Sequence, residues 1–166
     1  MLRAITLSDA DAVAALIREA FAAQAVVTDP LPSALRVTAA DVAAHLGHGG
    51  GGAVFWVDEA LAGSVLWAEQ DGGLYVSRVA VAPALRRRGI ARALVGAAEA
   101  AARAMQLPRV HLATRLVLAD NRRLFAACGF VETERTAHPG YAEATSVTLE
   151  KVLTSPAPRA GEGDGA

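Results

Sequence analysis

A strand-to-helix junction between residues 79 and 93 constrains this chain more than any other stretch. A β-branched run predicts a strand that Pro83 ends, and an alanine-rich helix begins after Gly89. Three consecutive arginines, Arg86, Arg87 and Arg88, stand between them. The first N–H groups of a helix lack internal partners and carry a partial positive charge, so they attract anions. The junction therefore predicts an anion-binding loop.

The residue types in this loop suit a phosphate group in particular. Arginine offers a planar fork that matches phosphate oxygens, and Gly89 has no Cβ to keep a ligand away from the backbone. The loop is not a Walker loop, because Gly-x-x-x-x-Gly-Lys-Ser/Thr is absent. The alternative interpretation is a basic surface turn that opens an ordinary helix.

The motif Arg86-x-x-Gly89-x-Ala91, preceded by Val79-Ala80-Val81-x-Pro83, resembles the acetyl-coenzyme A signature of the GCN5-related N-acetyltransferases (GNAT). A later Phe125-x-x-x-Gly129-Phe130 strengthens the resemblance. In that family the loop binds the cofactor pyrophosphate through backbone amides, and an amide of the preceding strand faces the thioester oxygen. The resemblance implies that acetyl-CoA is the cosubstrate. The cofactor-binding positions that it implies are Val79, Ala80, Val81, Arg86, Arg87, Arg88, Gly89, Ile90, Ala91, Asn121 and Phe125.

The order of predicted elements matches the fold of this family. Strands are predicted over 2–6, 53–57, 61–69, 74–81, 109–115, 130–136 and 145–153, and helices over 9–23, 39–46, 89–105 and 121–127, with Ser8 and Thr38 capping the first two. We expect an α+β GNAT fold: one mixed, mostly antiparallel sheet flanked by helices and splayed at strands four and five. This acetyltransferase domain spans 1–153, and residues 154–166 are expected to form a disordered tail.

Composition narrows the possible surroundings of the chain. The length of 166 residues predicts one domain. The formal net charge of −1 gives no reason to expect nucleic acid or a membrane as a partner. The single Cys128 excludes an intramolecular disulfide and suits a reducing compartment. The sequence shows neither a signal peptide nor an apolar run of about 18 residues, so a cytoplasmic protein is expected. A monomer or homodimer is expected.

A glycine-rich stretch, residues 47–52, literally matches the dinucleotide fingerprint Gly-x-Gly-x-x-Gly. That fingerprint follows a strand and opens a helix, whereas these glycines follow a predicted helix and open a predicted strand. A flexible loop is therefore expected. His45 and His48 beside it have no Cys or acidic partner at ligand spacing, so we interpret them as solvated and expect no metal.

Proton transfer is where the sequence departs from the family. Many members carry a Tyr as general acid at the position of Phe125, and a Glu as base on the fourth or fifth strand, where this chain has no carboxylate. His111 on the fifth strand, or His138 and Tyr141 in a loop over the acceptor site, are the candidate replacements. Tyr75 and Ser77 could hold a water relay. The alternative for the loop is a plain hairpin turn, and Asn121 either bonds the pantetheine arm or merely caps its helix.

These expectations together predict an N-acetyltransferase. It would move an acetyl group from acetyl-CoA to a primary amine, on a small molecule or a peptide, by direct attack in a ternary complex. The alternative is a non-catalytic acyl-CoA-binding sensor or interaction module on the same fold, because the usual proton-transfer residues are missing. No acidic cluster indicates a polyamine or aminoglycoside acceptor.

Overall fold

A mixed sheet in the order β1-β2-β3-β4-β5-β7-β6 organises the fold in the computed structural model, which describes residues 1–153. Its strands are β1 Leu2–Ala4, β2 Gly51–Val57, β3 Ala60–Gln70, β4 Gly73–Val81, β5 Arg109–Arg115, β6 Val131–Thr136 and β7 Ser146–Val152. The helices are α1 Ala10–Ala22, α2 Ala39–Gly47, α3 Ile90–Ala104 and α4 Ala119–Ala127. The expected α+β fold is confirmed, whereas the expected tail, 154–166, lies outside the described residues.

The sheet opens between β4 and β5. These strands form its parallel pair, and only Leu74–Val110 and Tyr75–His111 are in register. Beyond Tyr75 the two strands diverge towards their carboxyl ends. The predicted splay between strands four and five is confirmed, and it creates a gap in the middle of a sheet that is otherwise antiparallel.

Helices cover both faces of the sheet. The apolar stripe of α3 is buried on one face with Phe125 of α4, while α1 and α2 pack on the other face in a second cluster. The residues of α3 that are buried are those predicted from its period: Ile90, Leu94, Val95, Ala98 and Ala102. Strand β4 contributes residues to both clusters, so it is packed from both faces beside the gap.

Of the two helix caps predicted from the sequence, one is confirmed and the other is wrong. Thr38 caps α2 as expected, since its Oγ1 accepts from the Asp41 N–H at 3.2 Å. Ser8 does not cap α1, because a 3-10 turn over Leu7–Asp9 precedes the helix. The Asp9 carboxylate instead accepts from Arg3 at 2.7 and 2.8 Å and from the Thr6 N–H at 2.8 Å. A charged, bidentate contact is stronger than a serine cap, so it decides the geometry.

The glycine-rich stretch is not the flexible loop that we expected. Gly51 and Gly52 lie inside β2, and a Cβ on Gly52 would come 2.3 Å from the Val65 carbonyl oxygen. His45 is half-buried with Nε2 3.0 Å from the Gly51 oxygen, so the solvated role expected for it is wrong. Gly51 and Gly52 therefore serve close packing between strands, whereas a Cβ on Gly47 or Gly49 would meet nothing within 4 Å.

Among the described residues, no helix is both long and apolar enough to cross a membrane. In the same part of the chain, no group of three or more His, Cys, Asp or Glu side chains is arranged to hold a metal ion.

Candidate active site

A β-bulge in β4 lies where the sheet opens. Ser64 of β3 pairs with Ala80 and Leu66 pairs with Ser77, so that Arg78 and Val79 together face one residue of β3. Arg78 has φ +52°, a left-handed conformation that is uncommon for a residue other than glycine. A bulge leaves its extra residue without a ladder partner and bends the strand. Backbone polar groups are thus free to face a ligand at the mouth of the gap.

The predicted anion-binding loop joins β4 to α3. A short 3-10 turn over Pro83–Leu85 leads to Arg87 at φ +66° and to Gly89, the N-cap of α3, at φ +77°. No side chain caps α3, and its first turn contains no acidic residue. The terminal N–H groups and the positive end of the helix are therefore available to an anion. A Cβ on Gly89 would project into open space, so the left-handed backbone is what requires glycine there.

The three arginines of the loop have different surroundings. Arg86 donates from Nη2 to the Ala20 carbonyl at 2.8 Å and from Nη1 to the Ala23 carbonyl at 3.3 Å, at the C-terminal end of α1. All three side chains are exposed, and both Arg86 and Arg87 line the cleft beside the loop. Arg86 thus holds the loop against α1, and this role was not predicted from the sequence.

Two cavities meet at the bulge. The outer cleft, about 980 Å³, lies between the loop 86–92, the end of α1 and the start of α4. The inner cavity, about 430 Å³, lies between β4 and β5 beneath the segment 28–33. Six residues line both: Phe21, Gln24, Val79, Leu118, Asn121 and Phe125. The two spaces therefore adjoin at the strand position where the backbone is irregular.

Asn121 and Phe125 lie at this junction, on one side of α4. The helix begins after Leu118, and no side chain forms a cap bond there, so the alternative role of Asn121 as a helix cap is wrong. Phe125 is buried and packs edge-to-face against Phe130, with ring centroids 5.9 Å apart. It brings an apolar ring without a hydroxyl to both cavities.

His138 is the predicted proton-transfer residue that lines the inner cavity. It is half-buried, its backbone N–H donates to Thr145 Oγ1 at 3.0 Å, and its Nδ1 pairs with the same oxygen. Tyr141 lies beside it, with ring centroids 6.4 Å apart, but does not line the cavity. Its hydroxyl donates to the Asp29 carboxylate, and that bond raises the pKa of Tyr141 above its usual value. Tyr141 is therefore a proton donor rather than a base near neutral pH.

His111 is not brought together with these residues. It is 6% exposed, and its Nε2 lies 2.9 Å from the Gln70 carbonyl oxygen. Its ring contacts Tyr75 edge-on at 5.2 Å, at the paired end of β4 and β5 rather than at the open end. His111 lines neither cavity, whereas Tyr75 and Ser77 line the inner one.

Three residues of the inner cavity were missed by the sequence reasoning. Arg78 donates to Ser33 Oγ at 2.8 Å, and Arg115 donates to the Pro30 carbonyl at 2.6 Å. Burial lowers the pKa of both guanidinium groups. Thr28 Oγ1 is buried and has no hydrogen-bond partner among the described residues. The available signal was an arginine inside the apolar strand β4 and another at the last position of β5.

Comparison with known proteins agrees with this geometry. The family model for the acetyltransferase (GNAT) family matches residues 13–130. YncA from Salmonella typhimurium, solved with its cofactor acetyl-CoA, is 18% identical with a TM-score of 0.72, covering 97% of this chain and 98% of its own. The ribosomal-protein-S18-alanine N-acetyltransferase from Escherichia coli is 16% identical with a TM-score of 0.74, covering 98% and 97%.

A GNAT-family acetyltransferase from Streptococcus pneumoniae gives a TM-score of 0.75 at 15% identity, covering 93% of this chain and 99% of its own. At such identities these likenesses show the fold alone. No curated protein matches the chain. The family match stands on its own, because residues 13–130 are well over half of the 166. The chain therefore belongs to the GNAT acetyltransferase family.

Proposed function

We propose that the protein transfers an acetyl group from acetyl-CoA to a primary amine, by direct attack while both substrates are bound. The observation that carries this proposal is the meeting of the outer cleft and the inner cavity at Val79. A donor in one space and an acceptor in the other would bring their reacting groups together at the bulge. Holding two reactants in one geometry is by itself a large source of rate acceleration.

The outer cleft fits an acyl-CoA. The uncapped N-terminus of α3, the left-handed backbone at Arg87 and Gly89, and the exposed Arg87 side chain would hold the pyrophosphate. Asn121 and Phe125 would contact the pantetheine arm, because they lie between the loop and the inner cavity. When bound, acetyl-CoA supplies an acyl carbon activated as a thioester.

The bulge would supply the polarising group. Backbone N–H donors aimed at a carbonyl oxygen that gains charge are typically worth a few kcal/mol of barrier. Val79 lines both cavities and lies in the bulge that interrupts the β3–β4 ladder. A backbone donor needs no particular side chain, which is compatible with the absence of a conventional acid or base.

Proton transfer would fall on His138 through the inner cavity. As the amine nitrogen bonds to the acyl carbon and the carbon–sulfur bond breaks, the amine releases a proton and coenzyme A leaves as a thiolate. His138 is the titratable imidazole on the cavity wall, with one ring nitrogen paired to Thr145. Tyr141, held by Asp29, would orient the loop that carries His138.

A non-catalytic acyl-CoA-binding module is the second candidate. Phe125 favours it, because it brings no hydroxyl to the junction of the cavities. Such a module would bind coenzyme A and release no thiol in the presence of any amine.

Thiol release from acetyl-CoA over a panel of amines separates the two candidates, with coenzyme A binding measured in parallel by thermal shift. Amine-dependent thiol release with an N-acetylated product of matching mass is the expected result. A clear thermal shift without amine-dependent release would contradict the enzyme and support the module.

A further inference from the structure

The inner cavity contains two arginines on which the nearest carboxylates act only from beyond ion-pair distance. Arg78 comes from β4 and Arg115 from β5, so the pair is assembled only where these strands diverge. Neither forms an ion pair within the described part of the chain. Each guanidinium instead donates to a neutral oxygen, Ser33 Oγ or the Pro30 carbonyl. Both therefore reach the same short segment, 30–33, above the cavity.

Two carboxylates, Asp41 and Asp29, attract these arginines from a distance, but each accepts its hydrogen bond from another group. Asp29 accepts from the Tyr141 hydroxyl, and Asp41 accepts from the Thr38 N–H at 2.9 Å. No Asp or Glu of residues 1–153 lines the inner cavity. The cavity wall thus carries two guanidinium groups and no carboxylate, and each arginine keeps N–H donors that protein oxygens do not use, because a guanidinium carries five.

Thr28 adds an independent observation in the same cavity. It is 3% exposed, lines the cavity and leaves its hydroxyl without a partner. Trp56 Nε1 and Ser64 Oγ are unmatched in the same way but line neither cavity, whereas Thr28 lies in the cavity wall, where a bound anion would accept from its hydroxyl. Two partly buried cations and a free hydroxyl form a set of donors suited to an oxyanion.

We propose that the acceptor amine carries an oxyanion, as an α-amino acid or an α-aminophosphonate does, and that Arg78 and Arg115 bind this group beside Thr28. The inference rests on the proposed acetyl transfer and specifies its substrate class. A volume of about 430 Å³ suits a small molecule. Polycationic amines are disfavoured, because they would place like charges beside two partly buried guanidinium groups.

The same charges help the chemistry. A nearby positive charge disfavours a second one, so the arginines lower the pKa of a bound ammonium group. A larger fraction of the acceptor is then the uncharged amine that can attack. The cationic cavity compensates in this way for the missing carboxylate base.

Matched acceptors test the proposal. Each L-amino acid is compared with its α-amide, which keeps the amine and the side chain but loses the carboxylate. Two further groups of acceptors are α-aminophosphonates and C-terminally amidated peptides. A charge-assisted contact predicts that kcat/KM for the best acid exceeds that for its amide by roughly 10- to 100-fold. The higher kcat/KM, for the amino acids or for the α-aminophosphonates, shows whether the site prefers a carboxylate or a phosphonate.

Variants assign the effect to the arginines. Arg115→Gln and Arg78→Gln should each reduce the acid-to-amide ratio at least fivefold, because kcat/KM should fall further for the acid than for the amide. Arg135→Gln, on the exposed strand β6, is the matched control and should leave the ratio unchanged. A structural role alone would lower both values together and keep the ratio.

The outcomes separate this inference from the proposed function. Faster transfer to neutral amines, amides or polyamines than to anionic acceptors would overturn the inference and leave acetyl transfer intact. A ratio that neither arginine variant changes would also overturn it. Failure to acetylate any amine, with coenzyme A still bound, would contradict acetyl transfer itself and the inference with it.

Discussion

Arg86 of the anion-binding loop donates to the carbonyl oxygen of Ala20 at the end of α1, across a 2.8 Å contact. A cation at a helix C-terminus satisfies carbonyls that have no internal partner and opposes the negative end of the helix dipole. The side chain of Arg86 therefore supports the wall of the cleft, whereas that of Arg87 lines the same cleft without a hydrogen bond to any described residue.

This division of roles predicts different effects for neighbouring arginines. Arg86→Ala should lower the free energy of unfolding by about 1 kcal/mol, because helix carbonyls lose a charged donor. Arg87→Ala should leave stability within about 0.5 kcal/mol and weaken coenzyme A binding roughly tenfold. Urea unfolding and calorimetric titration measure the two quantities. If Arg87→Ala destabilised the fold and Arg86→Ala mainly weakened coenzyme A binding, the contact with α1 would not be the main role of Arg86.

Gly89 and Gly72 provide a matched pair for testing the loop. Both have φ near +75°, and a Cβ on either would meet nothing within 4 Å. Gly89→Ala and Gly72→Ala should therefore each cost about 1–2 kcal/mol of stability. Only Gly89→Ala should also reduce the rise in melting temperature caused by coenzyme A, since only that Cβ would project into the outer cleft. Equal thermal shifts in both variants would show that the ligand does not approach this backbone.

The Arg3–Asp9 pair predicts a specific loss of stability in acid. The contact with Arg3 lowers the pKa of Asp9 to about 2, below its unfolded value near 4. A lowered carboxyl pKa contributes stability above the unfolded pKa, and this contribution is lost as the pH falls through about 2. Because Arg3 is 37% exposed, we expect about 1–2 kcal/mol at neutral pH.

Asp9→Asn should thus lower the melting temperature at pH 7, and the difference from the wild type should shrink steadily between pH 4 and pH 2. Asp11→Asn, which changes an exposed acid in the first turn of α1, is the control and should shift the melting temperature little. A difference for Asp9→Asn that does not change with pH would point to packing rather than charge.

The histidines should separate catalysis from stability. His138→Ala should lower kcat at least tenfold with coenzyme A affinity unchanged, as is typical for loss of an acid or base. Tyr141→Phe should have a smaller effect, because Tyr141 lies outside the cavity. His111→Ala should lower the free energy of unfolding instead, since it removes a buried ring bonded to Gln70. A loss of less than threefold for His138→Ala would leave catalysis to positioning and backbone polarisation.

Local patterns were sufficient for most of the framework. The period of α3, the Thr38 cap, the loop at Gly89 and β5 at Arg109–Arg115 were each readable from a short window of sequence. Elements with a strong repeat or a single obligatory residue type depend little on distant contacts, so the chain itself determined them.

The composition of the site depended on contacts between distant segments. Arg78 and Arg115 are 37 positions apart and form one cavity only because β4 and β5 pair in parallel and then separate. His111 and His138 were equivalent candidates in the sequence. Strand pairing between Tyr75 and His111 places the His111 ring against the Gln70 carbonyl. The hydrogen bond to Thr145 keeps His138 at the cavity wall. Sequence alone determined the loop and the helices, because their signals are local. Tertiary structure decided which side chains share the cavity, because strand register and the β4 bulge set where each one points.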